Sequence, residues 1–167
     1  MVGGVAVGTM GGSGTKAPVM IALERNGSQL GRVRMAVADR PNTLQLVQFA
    51  QDVIEPGSTV HTDGATGLRR LTGLGYHHEP TVALGNPDQD SILPGVHLVA
   101  SLLKRWLIGT LHYRIEPAQL PYYLDEYTFR FNRRTSHKRG MLFYRLLQQA
   151  INTDPHPLKT FYSQYDS

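Results

Sequence analysis

The sequence predicts an α/β fold: a mixed sheet flanked by helices, with further helices at the carboxyl end. Three observations carry this. Apolar Pro18 to Leu23 and alternating Arg32 to Val37 are joined through Glu24-Arg25-Asn26-Gly27, a turn signal, and read as a hairpin. Ser58-Thr59-Val60-His61-Thr62 reads as a short strand with Asp63 and Gly64 at its carboxyl end, where α/β folds display chemistry. From Ile92 onward, apolar residues recur at helical spacing.

The elements follow in order. Residues 1–16, rich in glycine, read as a flexible lead-in. Asn42 is placed to cap a helix running to about Val53, with Leu44, Val47 and Val53 as its apolar positions. Pro56-Gly57 breaks it. Ala65 to Leu74 reads as a short helix stopped by Gly73 or Gly75, and His77 to Leu84 as another strand. A helix over Ile92 to Ile108, capped by Ser91, buries Val96, Val99, Leu103 and Trp106. A helix from about Ala118 to Arg133 turns Leu120, Tyr123, Leu124, Tyr127 and Phe131 inward. The last helix, about Lys138 to Ile151, turns Phe143, Leu146, Leu147 and Ala150 inward. Residues 17–152 form one domain, and 153–167 a tail with two prolines that frays.

Composition narrows the function classes. With 167 residues, 41% hydrophobic and 18% charged, the chain is globular. It has no cysteine, which excludes disulfides and thiolate zinc sites. No apolar run approaches the roughly 20 residues of a membrane span, and the glycine-rich start lacks the flanks of a signal peptide, so a cytoplasmic protein is expected. Net charge is +4, unevenly placed: Leu93 to Arg145 holds nine Lys/Arg against three acids, or +6, leaving −2 elsewhere. That asymmetry favours a polyanionic partner such as nucleic acid, although a solubilising surface reads the same way.

His97 and Lys104 are seven residues apart, two helical turns, so both leave one face of their helix, with Ser101 between them. A metal-binding carboxylate at Asp63, a second ligand at His97 and a cation at Lys104 suit phosphodiester chemistry. The same residues also read as an Asp opening a turn and two polar residues on a solvated face. His61, His77 and His78 do not make a zinc site, because adjacent residues of a strand face opposite sides. Glu126 is spaced to pair with Arg130 four residues on. Gly11-Gly12-Ser13-Gly14 lacks the Lys-Ser/Thr of a phosphate loop.

Strand, strand, helix, strand ending in Asp, then a helix bearing ligand and cation describe a ribonuclease H-like core without its first strand. The residues resemble the DDE-superfamily transposases of bacterial insertion sequences, in particular the ISXO-type family. The matching pieces are Val2-Gly3-Gly4, Ala22-Leu23-Glu24-Arg25, Gly57 to Gly64, Gly75-Tyr76-His77-His78, Ser101-Leu102-Leu103-Lys104-Arg105-Trp106, and Tyr123 through Arg134. Their order and the last block make the likeness specific.

The resemblance implies a metal-dependent domain that cleaves DNA and transfers its strands, with two magnesium or manganese ions. Asp63 matches the second metal-binding aspartate and His97 falls where the third ligand sits. Imidazole there suits manganese better than magnesium. Lys104 would contact phosphate or offset developing charge. Arg105, Arg130, Arg133, Arg134, Lys138 and Arg139 would bind DNA, both transposon ends and target, with self-association of the assembled protein, nucleoid-associated when on DNA. In that family the first catalytic Asp-Glu precedes the Val-Gly-Gly, before Met1 here. The resemblance therefore implies an N-terminally truncated catalytic domain, inactive alone. Two other readings stay open: a non-catalytic DNA-binding or assembly module derived from a transposase, and a resolvase or nuclease on the same fold.

Overall fold

The computed structural model describes residues 2–10 (main chain only), 17–38, 42–62, 66–81, 93–111 and 115–154. The strands are β1 (Val2–Met10), β2 (Ala17–Asn26), β3 (Gln29–Val37), β4 (Thr59–Thr62) and β5 (His77–Pro80). They form one sheet in the order β3-β2-β1-β4-β5. β1 runs antiparallel to β2 and parallel to β4; β2 and β3 are antiparallel, and β4 and β5 parallel. The helices are α1 (Thr43–Val53), α2 (Pro94–Leu111), α3 (Leu120–Asn132) and α4 (Arg139–Ile151), with a 3-10 helix over Thr66–Leu74.

The expected absence of the central strand is overturned. Val2–Met10 is that strand, bonded to β2 on one side and β4 on the other, so this part of the supposed lead-in is ordered sheet. Glycine richness suggested flexibility, but main-chain pairing on both edges needs no side chain, and glycine tolerates close backbone approach. Val2, Val5 and Val7 add β-branched residues to the run. Residues 11–16 lie outside the described residues.

The β2–β3 hairpin closes over Gly27-Ser28, and Gly27 takes the left-handed φ of +61° that a primed hairpin turn requires at its first position. Asn42 caps α1, its Oδ1 accepting the Gln45 N–H at 2.9 Å. The buried face of α1 is Leu46, Val47, Phe49 and Ala50, whereas Leu44, expected inside, is 66% exposed. The sheet selects the helix phase that buries the aromatic, and that phase turns Leu44 outward.

Alternation along β2 divides the core. Met20 and Ala22 face α1 and the 3-10 helix, packing with Phe49, Ala50, Val60, Leu68, Leu71 and Tyr76. Val19, Ile21 and Leu23 face α2 and α3, with Val96, Val99, Leu103, Leu107, Leu120, Leu124 and Tyr127. Buried on both faces, β2 reads as a near-continuous apolar run rather than a period-2 pattern. Leu107 completes the α2 stripe, and Trp106 is half-buried, its ring 5.8 Å from Tyr127 and 6.5 Å from Tyr123. All of this lies in one compact unit, Met1–Asn132; Arg133–Ser167 is a second. Within the second unit α4 keeps Phe143, Leu146 and Leu147 exposed, contrary to the inward face expected. An amphipathic period defines a stripe but not its covering.

Candidate active site

The carboxyl end of β4 is held from one side by β5. Thr62 is the last residue of β4 and is fully buried. Its Oγ1 lies 2.9 Å from His78 Nε2, and its carbonyl accepts the Thr81 N–H at 2.9 Å. Burial and the nearby Arg69 charge lower the His78 pKa from 6.5 and favour neutral imidazole. His61 Nδ1 stands 3.3 Å from Glu79 Oε2, its register partner, while His77 is exposed. The three histidines thus separate, and among the described residues no group of three His, Asp or Glu is placed to hold a metal. Asp63 and Gly64 follow Thr62 directly and lie outside the described residues.

On the other side of β4 runs β1, with Val5 opposite Thr62 and Gly4 opposite His61. The β1 sequence, Val-Gly-Gly-Val-Ala-Val-Gly-Thr-Met, contains no acidic residue.

His97 and Lys104 are both exposed on α2, as the two-turn spacing requires, and Ser101 between them is exposed too. Arg105, next to Lys104 and one turn on from Ser101, is exposed as well. The placement of this face depends on Gly95, which sequence reasoning missed. A Cβ there would meet Leu30 Cδ2 at 2.8 Å and Leu23 Cδ2 at 3.0 Å, so any larger residue would have to push those leucine tips aside for the start of α2 to rest as closely on the sheet. Leu23 pairs with Gly4, and Gly4 with His61. The helix start that carries His97 therefore sits over the row that ends two residues short of Asp63. Pro94-Gly95 at a helix start was the available signal.

The predicted DNA-contacting residues are dispersed. Arg130, on α3, is held by Glu126 at 2.6 Å, the expected i,i+4 pair. Arg133 is half-buried, Arg134 and Lys138 are exposed, and these three with Arg139 belong to the second unit. The Arg139 side chain lies outside the described residues. Just before them is a second group that sequence reasoning missed. Asn132 Oδ1 accepts the Val33 N–H at 2.6 Å and its Nδ2 donates to the Val33 carbonyl at 2.9 Å, tying the end of α3 to edge strand β3.

Comparison with known families resolves the class of domain. The ISXO2-like transposase domain matches residues 4–132, well over half of the chain. The chain belongs to the ISXO2-like transposase family. A search of curated proteins finds no match. Among solved structures, the ISXO2-like domain is similar to a chain of the simian T-cell lymphotropic virus intasome, with TM-score 0.55 and 11% identity over 77% of this chain and 47% of that one. It thus spans about half the length of that relative. It is also similar to the HTLV-2 integrase catalytic core domain in complex with magnesium, with TM-score 0.52 and 10% identity over 83% and 89% of the two chains. At these identities the likeness shows the fold, which is ribonuclease H-like as the element order predicts. Among the described residues no helix is long and apolar enough to cross a membrane.

Proposed function

We propose that this chain is the catalytic-type domain of an insertion-sequence transposase, serving metal-dependent cleavage of DNA and transfer of its strands, with only part of that site on its own residues. The register of the central strands carries the reading. Val60 and Thr62 are buried on β4, Val60 against α1, so strand alternation turns His61 to the α2 side, two residues before Asp63 in the chain. His97 is borne on that side, on a helix start two strand spacings of about 4.8 Å from β4. In this reading Asp63 and His97 would be the ligands of a divalent ion, a pair whose imidazole suits manganese better than magnesium. When bound, such an ion activates an attacking oxygen and polarises the phosphate. Lys104, two turns along α2 and exposed, would bind a phosphate oxygen and offset charge that develops there.

Two-ion transfer also needs a carboxylate between the ions, and the acid-free β1 does not offer one beside Asp63. That observation favours a second reading, a DNA-binding or assembly module derived from a transposase. We therefore infer a chain that binds transposon ends and target DNA, through Lys104, Arg105, Arg130, Arg133, Arg134, Lys138 and Arg139, without cutting it unaided. Duplex binding by fluorescence anisotropy and nicking of supercoiled DNA with manganese test this together. Binding without nicking is expected; nicking that disappears in Asp63→Ala makes the site complete, and absence of binding removes both readings.

A further inference from the structure

Helix α4 leaves its apolar side chains open: Phe143 is 72% and Ile151 75% exposed, and Leu146 and Leu147 about half. Phe143, Leu146, Leu147 and Ala150 stand at i, i+3, i+4 and i+7, one stripe along a helix of 13 residues, and Ile151 extends it. Arg145 and Gln148 leave the opposite face. A contiguous apolar stripe rimmed by polar residues marks an interaction surface. Side chains of about 150–250 Å² exposed to this degree offer about 500 Å² per helix, so a pair of such helices buries on the order of 1,000 Å², the lower bound of a specific interface. Charge selects the partner. Arg133, Arg134 and Lys138 precede α4, its first turn has no acid, and no acidic residue stands between Glu126 and Asp154, just past its carboxyl end. A parallel pair of copies would stack the two basic ends. An antiparallel pair sets each beside the Asp154 and the helix carboxyl terminus of the other copy, where cations are favoured. The same pairing sets bulky Phe143 against small Ala150, with Leu146 and Leu147 at the two-fold axis.

We propose that α4 is a self-association surface: two copies of this chain join through antiparallel α4 helices along the stripe of Phe143, Leu146, Leu147 and Ala150. This rests on the assembly role proposed above and requires neither metal nor DNA, so it stands or falls apart from DNA binding and cleavage. The basic flanks of the two copies then lie at opposite ends of the helix pair, about 20 Å apart for 13 residues.

Sedimentation equilibrium of the full chain tests this, at salt high enough to strip bound nucleic acid and with thermal melts to confirm folding. A concentration-dependent equilibrium between monomer and dimer is expected. Leu147→Glu brings two carboxylates to the axis and should raise the dimer dissociation constant about 100-fold or more, whereas Arg145→Glu, on the opposite face, should leave the dimer in place. The chain has no cysteine, so introduced ones report the orientation. Under mild oxidation, Phe143→Cys chains should cross-link to Ala150→Cys chains and not to one another. A monomer at every concentration up to about 0.1 mM overturns the proposal. So does a dimer that survives Leu147→Glu, or preferential cross-linking of Phe143→Cys chains among themselves. Should Leu147→Glu fail to fold, the cysteine pairs decide the same question. DNA anisotropy on the same samples separates the two readings: absent DNA binding with the dimer intact fails the proposed function alone.

Discussion

A single amide joins the last turn of α3 to the edge of the sheet. Asn132 supplies an acceptor and a donor to Val33, as a neighbouring strand would, and so blunts the edge that β3 exposes. Asn132→Ala leaves the Val33 N–H and carbonyl without those partners, and should cost about 1–3 kcal/mol, seen as a lower urea midpoint at unchanged slope. No change in midpoint would show that water replaces the amide. His78 predicts a pH dependence. Its folded pKa lies below the ordinary 6.5 because burial and Arg69 disfavour the imidazolium. The stability it contributes is complete above the unfolded value and is lost as pH falls through the lowered folded one. Hydrogen-exchange protection of Thr81 N–H, which pairs with Thr62, should drop as pH falls from above the ordinary histidine value to well below it. His78→Gln should flatten that drop; a drop of equal size in the variant would assign it to another group.

Single elements differ in how far their sequences announce them. The β2–β3 hairpin was legible because Asn26-Gly27 marks its turn, and α2 and α3 because their apolar period is unbroken. The His97–Lys104 face was legible for the same reason. β1 was not: its order comes from two neighbouring strands, and its own residues carry only weak strand preference. The phase of α1 was misjudged for a related reason, since sheet contact, not period, chose Phe49 over Leu44. The interactions behind the site were illegible because they join distant residues: Thr62 to His78 through strand register, and Asn132 to Val33 across 99 positions. The register of β1 also makes a constructive prediction. Val5 is opposite Thr62, and the next β1 residue, Ala6, stands in register with Ile21 of the α2-side core. Under the proposed function Ala6→Asp should add a second carboxylate and tighten Mn2+ binding about 10-fold or more, read by isothermal titration calorimetry. Met10→Asp, at the far end of β1, should not. Equal effects of the two would place the ion elsewhere.

Across the whole chain, charge and site completeness point to different capacities. The +6 between Leu93 and Arg145 is carried by residues of both compact units, and several of its cations are already engaged, Arg130 by Glu126 among them. Exposed Lys104 and Lys138 nonetheless remain within reach of a duplex. Affinity built this way is independent of base sequence and releases counterions, so removing one phosphate-binding cation should shallow the log–log salt dependence by about one unit. Reversing Arg133 and Arg134 to Glu together should weaken binding to unrelated duplexes alike and shallow the slope by about two units. Undiminished affinity would mean that the basic stretch is a solvated surface. Cleavage is a separate matter, because binding needs only cations whereas two-ion transfer needs carboxylates between the ions. The full chain should therefore bind DNA yet leave it uncut with manganese, and Ala6→Asp should begin to nick it while Ala6→Asp with Asp63→Ala does not. Nicking by the unaltered chain that survives Asp63→Ala would trace to a contaminant. Nicking abolished in Asp63→Ala would show that one carboxylate and one imidazole suffice, and the requirement for an acid on β1 would fall.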